Sequence, residues 1–196
     1  MISDVTVLAS GGSSSYGVYN SSSSPSMTGI TVTVSAGDLS IGVANYSSSS
    51  PTMTDITVTA SGGATWSFGV DNKNSSSPTM TNVAATASGS GWVFGVHNTN
   101  DSSYSSSPTM TNVTATSSGG AAGGTSYGVY NFSCSAVIRR STMKGATYSI
   151  KTDQIPVTIS QSTLIGAVSG GVNNKCVACD NGNALPWVQI ANSQAS

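Results

Sequence analysis

The feature that most constrains the fold of this chain is a five-residue phrase that recurs four times, at steps of 26, 27 and 30 residues. The copies are Ser24-Pro25-Ser26-Met27-Thr28, Ser50-Pro51-Thr52-Met53-Thr54, Ser77-Pro78-Thr79-Met80-Thr81 and Ser107-Pro108-Thr109-Met110-Thr111. A unit of this length cannot enclose a hydrophobic core by itself, so each copy has to stack on its neighbours. The spacing therefore predicts a solenoid, in which equivalent residues of successive coils form columns.

A second phrase recurs five times and has the two-residue alternation of a β-strand. The copies are Tyr16-Gly17-Val18-Tyr19-Asn20, Ile41-Gly42-Val43-Ala44-Asn45, Phe68-Gly69-Val70-Asp71-Asn72, Phe94-Gly95-Val96-His97-Asn98 and Tyr127-Gly128-Val129-Tyr130-Asn131. We expect the first residue and the valine of each copy to point inward, with Trp66 and Trp92 extending the inward column. The asparagines are expected to hydrogen-bond from coil to coil as a ladder.

The methionine phrase leads into another alternating segment, clearest in Ile56-Thr57-Val58-Thr59, where the threonines are expected to point outward. No stretch has the periodicity of an amphipathic helix, so the connections cannot be crossover helices. The sequence predicts an all-β fold, a parallel β-helix of about seven coils. We assign the repeats to residues 1–181 and a C-terminal cap or tail to residues 182–196.

The repeats resemble the right-handed parallel β-helix repeats of the pectate-lyase-like superfamily. This resemblance implies the fold and its handedness, but the chain matches no catalytic motif of the superfamily.

The charge pattern excludes several classes of function. Only 7% of the residues are charged, six basic and seven acidic. A nucleic-acid-binding protein needs a basic face, which six scattered basic residues cannot form. No run approaches the roughly 20 apolar residues that span a bilayer, and the first residues lack the features of a signal peptide. We therefore expect neither a nucleic-acid partner nor a membrane span. Separately, we expect an extracellular or cell-surface location, although this chain shows no signal peptide.

No catalytic residue, metal site or cofactor is predicted. The resemblance implies that an enzyme of this fold gathers carboxylates for calcium, but Asp4 and Asp55 lie two coils apart, about 10 Å, which is too far to chelate one ion directly. His97 is expected to be a solvated residue in an outward column, because it has no second ligand or nucleophile beside it. Cys176 and Cys179 form a Cys-x-x-Cys pair, but we expect Cys179 to fill the inward valine column and Cys176 to point away from it. The sequence therefore does not predict an enzyme.

Two surfaces are candidates for binding. The first is a grid of outward threonines that is similar to the Thr-x-Thr face of β-solenoid ice-binding proteins. Its residues are Thr31, Thr33, Thr57, Thr59, Thr86, Thr114 and Thr116. The alternative is that threonine is simply a good exposed strand residue, since Leu8, Lys144 and Ile165 interrupt the same columns. The second surface is a possible glycan-binding edge formed by Tyr19, His97 and Tyr130.

Three functions follow in order of preference. The first is a non-enzymatic surface, adhesive or filament-type structural rod. The second is a binding module for ice or for glycans, and the third is a degenerate carbohydrate-active enzyme.

No capping repeat precedes the first coil, whose strand edges are a template for pairing. We therefore expect that the native chain continues upstream or that it self-associates through this coil.

Overall fold

The computed structural model describes residues 1–100, 106–120, 124–170, 175–177 and 179. All regular elements in these ranges are strands. In chain order they are β1 Ile2–Ser3, β2 Thr6–Ser10, β3 Ser14–Ser21, β4 Ser26–Thr28, β5 Thr31–Ser35, β6 Leu39–Tyr46, β7 Thr52–Gly63, β8 Trp66–Lys73, β9 Thr79–Gly89, β10 Trp92–Thr99, β11 Thr109–Thr111, β12 Thr114–Gly119, β13 Ser126–Phe132, β14 Val137–Arg139, β15 Thr142–Asp153, β16 Thr158–Ser160, β17 Thr163–Gly170 and β18 Lys175–Val177. In these ranges no helix has the length and apolar character needed to cross a membrane.

The strands pair in parallel with the equivalent strands of the next coil, and this confirms the predicted β-solenoid. Each coil has three faces. We name them after their columns: the methionine face (from β1 and β4 onward), the threonine face (from β2 and β5) and the aromatic face (from β3 and β6). Five coils, beginning at β4, β7, β9, β11 and β14, pair with a neighbour on both sides. The strands β1 to β3 form a coil before them, and β16 and β17 form one after them.

The methionine face supplies one wall of the core. The strand register places the four methionines of the recurring phrase in one column, as the repeat predicts, and Ile2, Ile138 and Ile159 continue that column at its two ends. The four methionines are almost completely buried. The following corner has a left-handed backbone, with φ of 53° at Asp4, 64° at Gly29 and 54° at Asp55. Glycine, asparagine and aspartate tolerate this conformation best, which explains their recurrence after the Met-Thr pair.

The threonine face follows the predicted alternation without interruption. Thr31 pairs with Thr57, and Thr33 pairs with Thr59, on the outer side of β5 and β7. Val32, Val58 and Ala85 point to the opposite side, where they are completely buried in the main core. Both predicted outward columns are confirmed in register from β2 to β17.

The predicted asparagine ladder is also confirmed. The first four side-chain amides each donate to the next Oδ1 along the solenoid, from Asn20 to Asn45 at 2.8 Å and from Asn45 to Asn72 at 2.8 Å. The ladder continues from Asn72 to Asn98 and from Asn98 to Asn131 at 2.7 and 2.6 Å. Because these amides are buried, the bonds remove the cost of leaving polar groups unpaired. The last amide, Nδ2 of Asn131, is buried without a hydrogen-bond partner among the described residues.

The prediction that the first residue of each copy of the second phrase points inward, beside the valine, was wrong. Phe68 and Phe94 are buried, but they belong to a second cluster with Ile41, whereas Val70 and Val96 belong to the main core. The strands pair on both sides of the glycine that separates the two columns but not at the glycine itself. This break in the alternation places the aromatic residue on the outer side and the valine on the inner side. Trp66 and Trp92, predicted to extend an inward column, are 38% and 39% exposed.

The last coils also correct the sequence register. Val168, rather than Cys179, continues the valine column, because it pairs with Ile150. The strand β18 pairs with β16 on the methionine face, where Cys176 lies opposite Ile159. Cys179 is buried and disulfide-bonded rather than a simple filler of the valine column. The predicted cap, residues 182–196, lies outside the described residues.

Candidate functional site

A groove with a volume of ≈ 630 Å³ runs over the aromatic face. Eight of its lining residues are Tyr, Trp or Phe, from Tyr16 in β3 to Tyr130 in β13. The others are Leu39, Ile41, Lys73, His97 and Lys151. Because these side chains come from six successive coils, the groove extends about 24 Å along the solenoid axis at a strand spacing of about 4.8 Å. We call it the aromatic groove.

Aromatic rings of successive coils stack on one another along the groove. The ring centroids of Phe68 and Phe94 are 4.9 Å apart, and those of Phe94 and Tyr127 are 5.2 Å apart, with planes inclined by 8° and 12°. Trp92 is stacked between Trp66 and Tyr127. The Trp92 indole therefore has a stacked ring on each side, and it is still 39% exposed to solvent. Ring edges carry partial positive charge and favour contact with oxygen atoms.

The second wall of the groove is formed by His97 and Tyr130, whose rings stack with a centroid distance of 5.5 Å. The His97 ring is inclined by 48° to Phe94, and the Tyr130 ring is inclined by 49° to Tyr127. Two inclined rows of rings thus form a trough rather than a flat aromatic sheet.

A completely buried carboxylate lies beneath this wall. Oδ1 of Asp71 is 2.7 Å from Nδ1 of His97, and Oδ2 is 2.9 Å from Nζ of Lys73. The hydroxyl of Tyr46 donates a hydrogen bond to the same Oδ2. Burial by itself raises the pKa of Asp71, but the interactions with His97, Lys73 and Tyr46 outweigh it and lower the pKa below its ordinary value of 3.8. Asp71 is therefore ionised, and all its partners are donors.

The same residue types meet again three coils further on, in a more exposed setting. The hydroxyl of Tyr130 donates to Oδ2 of Asp153 at 3.1 Å, and Nζ of Lys151 is 3.5 Å from the same oxygen. Burial, followed by the charge of Asp153, raises the pKa of Tyr130. The groove therefore has a Tyr-Asp-Lys cluster near each end, one buried at Asp71 and one partly solvated at Asp153.

The structure brings together two of the three residues predicted for a glycan edge. His97 and Tyr130 line the aromatic groove, whereas Tyr19 lies on the first coil, where its ring packs edge-on against Tyr16 and Tyr46. The expectation that His97 is solvated was wrong, because it is only 8% exposed and packs between Phe94 and Tyr130. The predicted threonine residues lie on a different face of the coil, away from the groove.

Asp55, one of the two carboxylates considered for calcium, lies at the corner after the methionine face. Oδ1 of Asp55 accepts a hydrogen bond from the Asn82 amide at 2.8 Å, as part of the corner column. Across the described ranges, no group of three or more His, Cys, Asp or Glu side chains is arranged to hold a metal ion.

Sequence reasoning missed the role of Asp71, Lys73, Tyr46 and the two tryptophans. Two signals were present in the chain. A glycine separates the first residue, aromatic in four of the five copies, from the valine in every copy, and this marks a break in strand alternation. The motifs Asp71-Asn72-Lys73 and Lys151-Thr152-Asp153 place opposite charges two residues apart on one side of a strand, in a chain with very few charges.

Comparison with known proteins gives no relative for this chain. No protein-family model, no curated protein and no solved structure matches it.

Proposed function

We propose that this chain is a non-enzymatic β-solenoid module that binds an extended glycan along the aromatic groove. The observation that carries the proposal is the groove itself, a long trough of aromatic rings with a few fixed polar groups. Sugar chains present both C–H surfaces and many hydroxyl groups. Apolar rings that are partly exposed and a small number of placed donors and acceptors suit such a ligand.

The groove also carries little net charge. Lys73 is paired with Asp71, and Lys151 is paired with Asp153. The charges are thus compensated within each cluster, which favours a neutral sugar chain over a strongly acidic one.

Isothermal titration calorimetry with cellohexaose, xylohexaose, mannohexaose and polygalacturonate tests the proposal. We expect at least one neutral hexasaccharide to bind, and Trp92→Ala to weaken that binding by about tenfold or more, as for an aromatic anchor. Thr59→Ala, on the threonine face, is the matched control and should leave the affinity unchanged. Absence of binding to every neutral hexasaccharide contradicts the proposal.

A second candidate function is supported by the threonine face. Its two columns stay in register from coil to coil and contain no charged residue between Thr31 and Thr116. This regular array of methyl and hydroxyl groups favours binding to an ordered surface such as ice. Thermal hysteresis of the wild type and of Thr57→Lys tests the idea, which fails if neither protein affects crystal growth.

The rod-like architecture also supports a structural or adhesive role in which the groove is the adhesive surface. Membership of the pectate-lyase-like superfamily, an extracellular or cell-surface location and self-association through the first coil belong to this proposal. Light scattering distinguishes a monomer from an assembly. A degenerate carbohydrate-active enzyme differs from a binding module in releasing products, which assays on the same sugars detect.

A further inference from the structure

The buried carboxylate of Asp71 determines the proton position on the His97 ring. An ionised carboxylate can only accept hydrogen bonds, so Nδ1 of His97, which is 2.7 Å from Oδ1, must carry a proton. In the neutral imidazole this leaves Nε2 as a hydrogen-bond acceptor. The tautomer is therefore set by a group that lies beneath the groove.

The position of the ring is fixed from several sides. Tyr130 stacks on the imidazole, and Phe68 and Phe94 pack against it at centroid distances of 5.1 and 4.6 Å. Lys73 and Tyr46 hold the other oxygen of Asp71, which prevents the carboxylate from turning away. Such packing preorganises a binding group, because little side-chain freedom is lost when the ligand arrives.

Nε2 is the ring nitrogen left available to the groove. His97 lines the groove, and within the described part of the chain no hydrogen bond reaches Nε2. The other imidazole nitrogen is fully committed to Asp71. A polar atom held in this way, on an otherwise aromatic wall, distinguishes ligands by whether they offer it a donor.

We propose that His97 is a specificity-determining residue of the aromatic groove, with Nε2 accepting a hydrogen bond from a hydroxyl group of a bound neutral sugar and with Asp71 as the positioning residue that fixes the imidazole. This inference rests on the proposed glycan-binding function. It identifies the protein atom that recognises the ligand, Nε2 of His97, and the ligand group that is recognised, a sugar hydroxyl.

Two substitutions of His97 separate ligand recognition from structural support. In His97→Asn the side-chain amide can occupy the place of Nδ1 and still donate to Asp71, but nothing replaces Nε2. In His97→Gln the longer side chain reaches the place of Nε2 but leaves Oδ1 of Asp71 without its donor. Affinity for the hexasaccharides is measured by calorimetry, and stability is measured by thermal unfolding.

The two measurements should rank the variants in opposite orders. We expect His97→Asn to weaken binding by about tenfold, the value of one lost hydrogen bond, and His97→Gln to stay within about threefold of the wild type. Thermal stability should instead fall more in His97→Gln, because a buried charge loses a partner. If affinity and stability fall in the same order, His97 has only a structural role and the inference is overturned.

A measurement on the unmodified chain does not depend on the folding of variants. The sequence has a single histidine, so nitrogen NMR of the untagged chain gives one pair of imidazole signals. At a pH where the imidazole is neutral we expect protonated Nδ1 and unprotonated Nε2, with the Nε2 signal shifting when a binding hexasaccharide is added. Protonation at Nε2, or no shift at saturation, contradicts the inference.

The outcomes also separate this inference from the proposed function. If a neutral hexasaccharide binds and depends on Trp92 but not on His97, the glycan-binding function stands and the role of His97 is rejected. If no neutral hexasaccharide binds, both are rejected.

Discussion

The threonine face and the aromatic face come from the same coils but have opposite chemistry. On the threonine face, strict alternation leaves hydroxyl groups outside and valine or alanine inside. On the aromatic face, a glycine breaks the alternation in each of the first five coils, and Ser149 takes its place in the sixth, so that Phe68 and Asp71, three residues apart, lie on the same outer side. The comparison shows that one small residue per repeat changes which side chains share the outer side of a strand, and that the aromatic and charged residues placed there form the groove and its buried charge cluster.

The largest expected effect on stability comes from substituting the glycine that breaks the alternation. A Cβ at Gly95 would lie 2.6 Å from the carbonyl oxygen of Gly128 and 2.8 Å from the backbone nitrogen of Thr116. Backbone atoms of stacked coils cannot move aside, so we expect Gly95→Ala to lower the free energy of unfolding by about 3 kcal/mol or more. Urea unfolding followed by circular dichroism measures the change.

Gly37→Ala is the control for this substitution. A Cβ at Gly37 approaches only the carbonyl oxygen of Gly12, at 3.4 Å, and the residue is exposed. We expect its effect to stay within about 1 kcal/mol. Equal destabilisation by the two variants would mean that the glycine of the aromatic strand has no special packing role.

The next largest effect is expected for Asp71→Asn. Removing a charge from a buried cluster while Lys73 keeps its own costs about 3 kcal/mol at neutral pH. Because the pKa of Asp71 is lowered in the folded state, its ionisation stabilises the fold above the unfolded-state value of 3.8, and this contribution is lost as the pH falls below it. Thermal unfolding from pH 7 to pH 2 should show a weaker acid dependence in the variant than in the wild type.

Asp153→Asn sharpens this test, since Asp153 has the same types of partner but is 29% exposed in its side chain. A solvated pair contributes little, and we expect a loss of less than about 1 kcal/mol. A loss as large as that of Asp71→Asn would remove the distinction between the buried and the solvated cluster.

A smaller loss of stability at neutral pH, which shrinks at alkaline pH, is expected for Tyr46→Phe. Burial, followed by the negative charge of Asp71, raises the pKa of Tyr46 above its ordinary value of 10.0. The protonated phenol therefore contributes its full stability below pH 10, and the contribution is lost as the pH rises above that value, where only the unfolded chain ionises. We expect Tyr46→Phe to cost about 1.5 to 3 kcal/mol at neutral pH, the value of a hydrogen bond to a charged group, and to weaken the alkaline dependence.

Thermal unfolding between pH 8 and pH 11 measures this dependence. Tyr19→Phe, which alters an exposed tyrosine of the first coil, provides the comparison. Identical alkaline profiles for the wild type and Tyr46→Phe would show that Tyr46 is not protected from ionisation by the fold.

The smallest effect is expected on the threonine face. Thr57 is exposed on the outer side of β7, so Thr57→Lys should change the free energy of unfolding by less than about 0.5 kcal/mol. The same urea measurement applies. A larger loss would indicate that the threonine columns contribute to stability as well as to the surface.

Most of the architecture could be predicted because it depends on repetition. The methionine column, the two threonine columns and the asparagine ladder each recur at one place in the repeat, and each was found in the predicted register. The prediction that the aromatic column points inward was wrong, because it assumed strict two-residue alternation across the glycines that break it. These glycines are Gly17, Gly42, Gly69, Gly95 and Gly128. The predicted register of the last coil was wrong because the repeat becomes less regular there. Cys179 was assigned to the valine column, which Val168 occupies.

The candidate site could be predicted only in part. His97 and Tyr130 were identified as neighbours because they occupy the same position in successive copies. Asp71 and His97 also share one column, so their contact follows from the register. The hydrogen bond from Tyr46 to Asp71 instead joins two different columns of neighbouring coils, and no periodic pattern contains it, because Tyr46 is the only tyrosine at its place in the repeat.

The sequence by itself determined that this protein is a stack of short parallel strands, because a repeat that cannot bury its own apolar residues has to stack on its neighbours and the two-residue alternation makes the stacked elements strands. It also determined which residues share a column. Only the tertiary structure decided which side of the aromatic strand each column faces, because that depends on how the backbone bends at a glycine packed against the neighbouring coil. The same packing buries Asp71 among donors from three coils and so creates the polar centre of the groove.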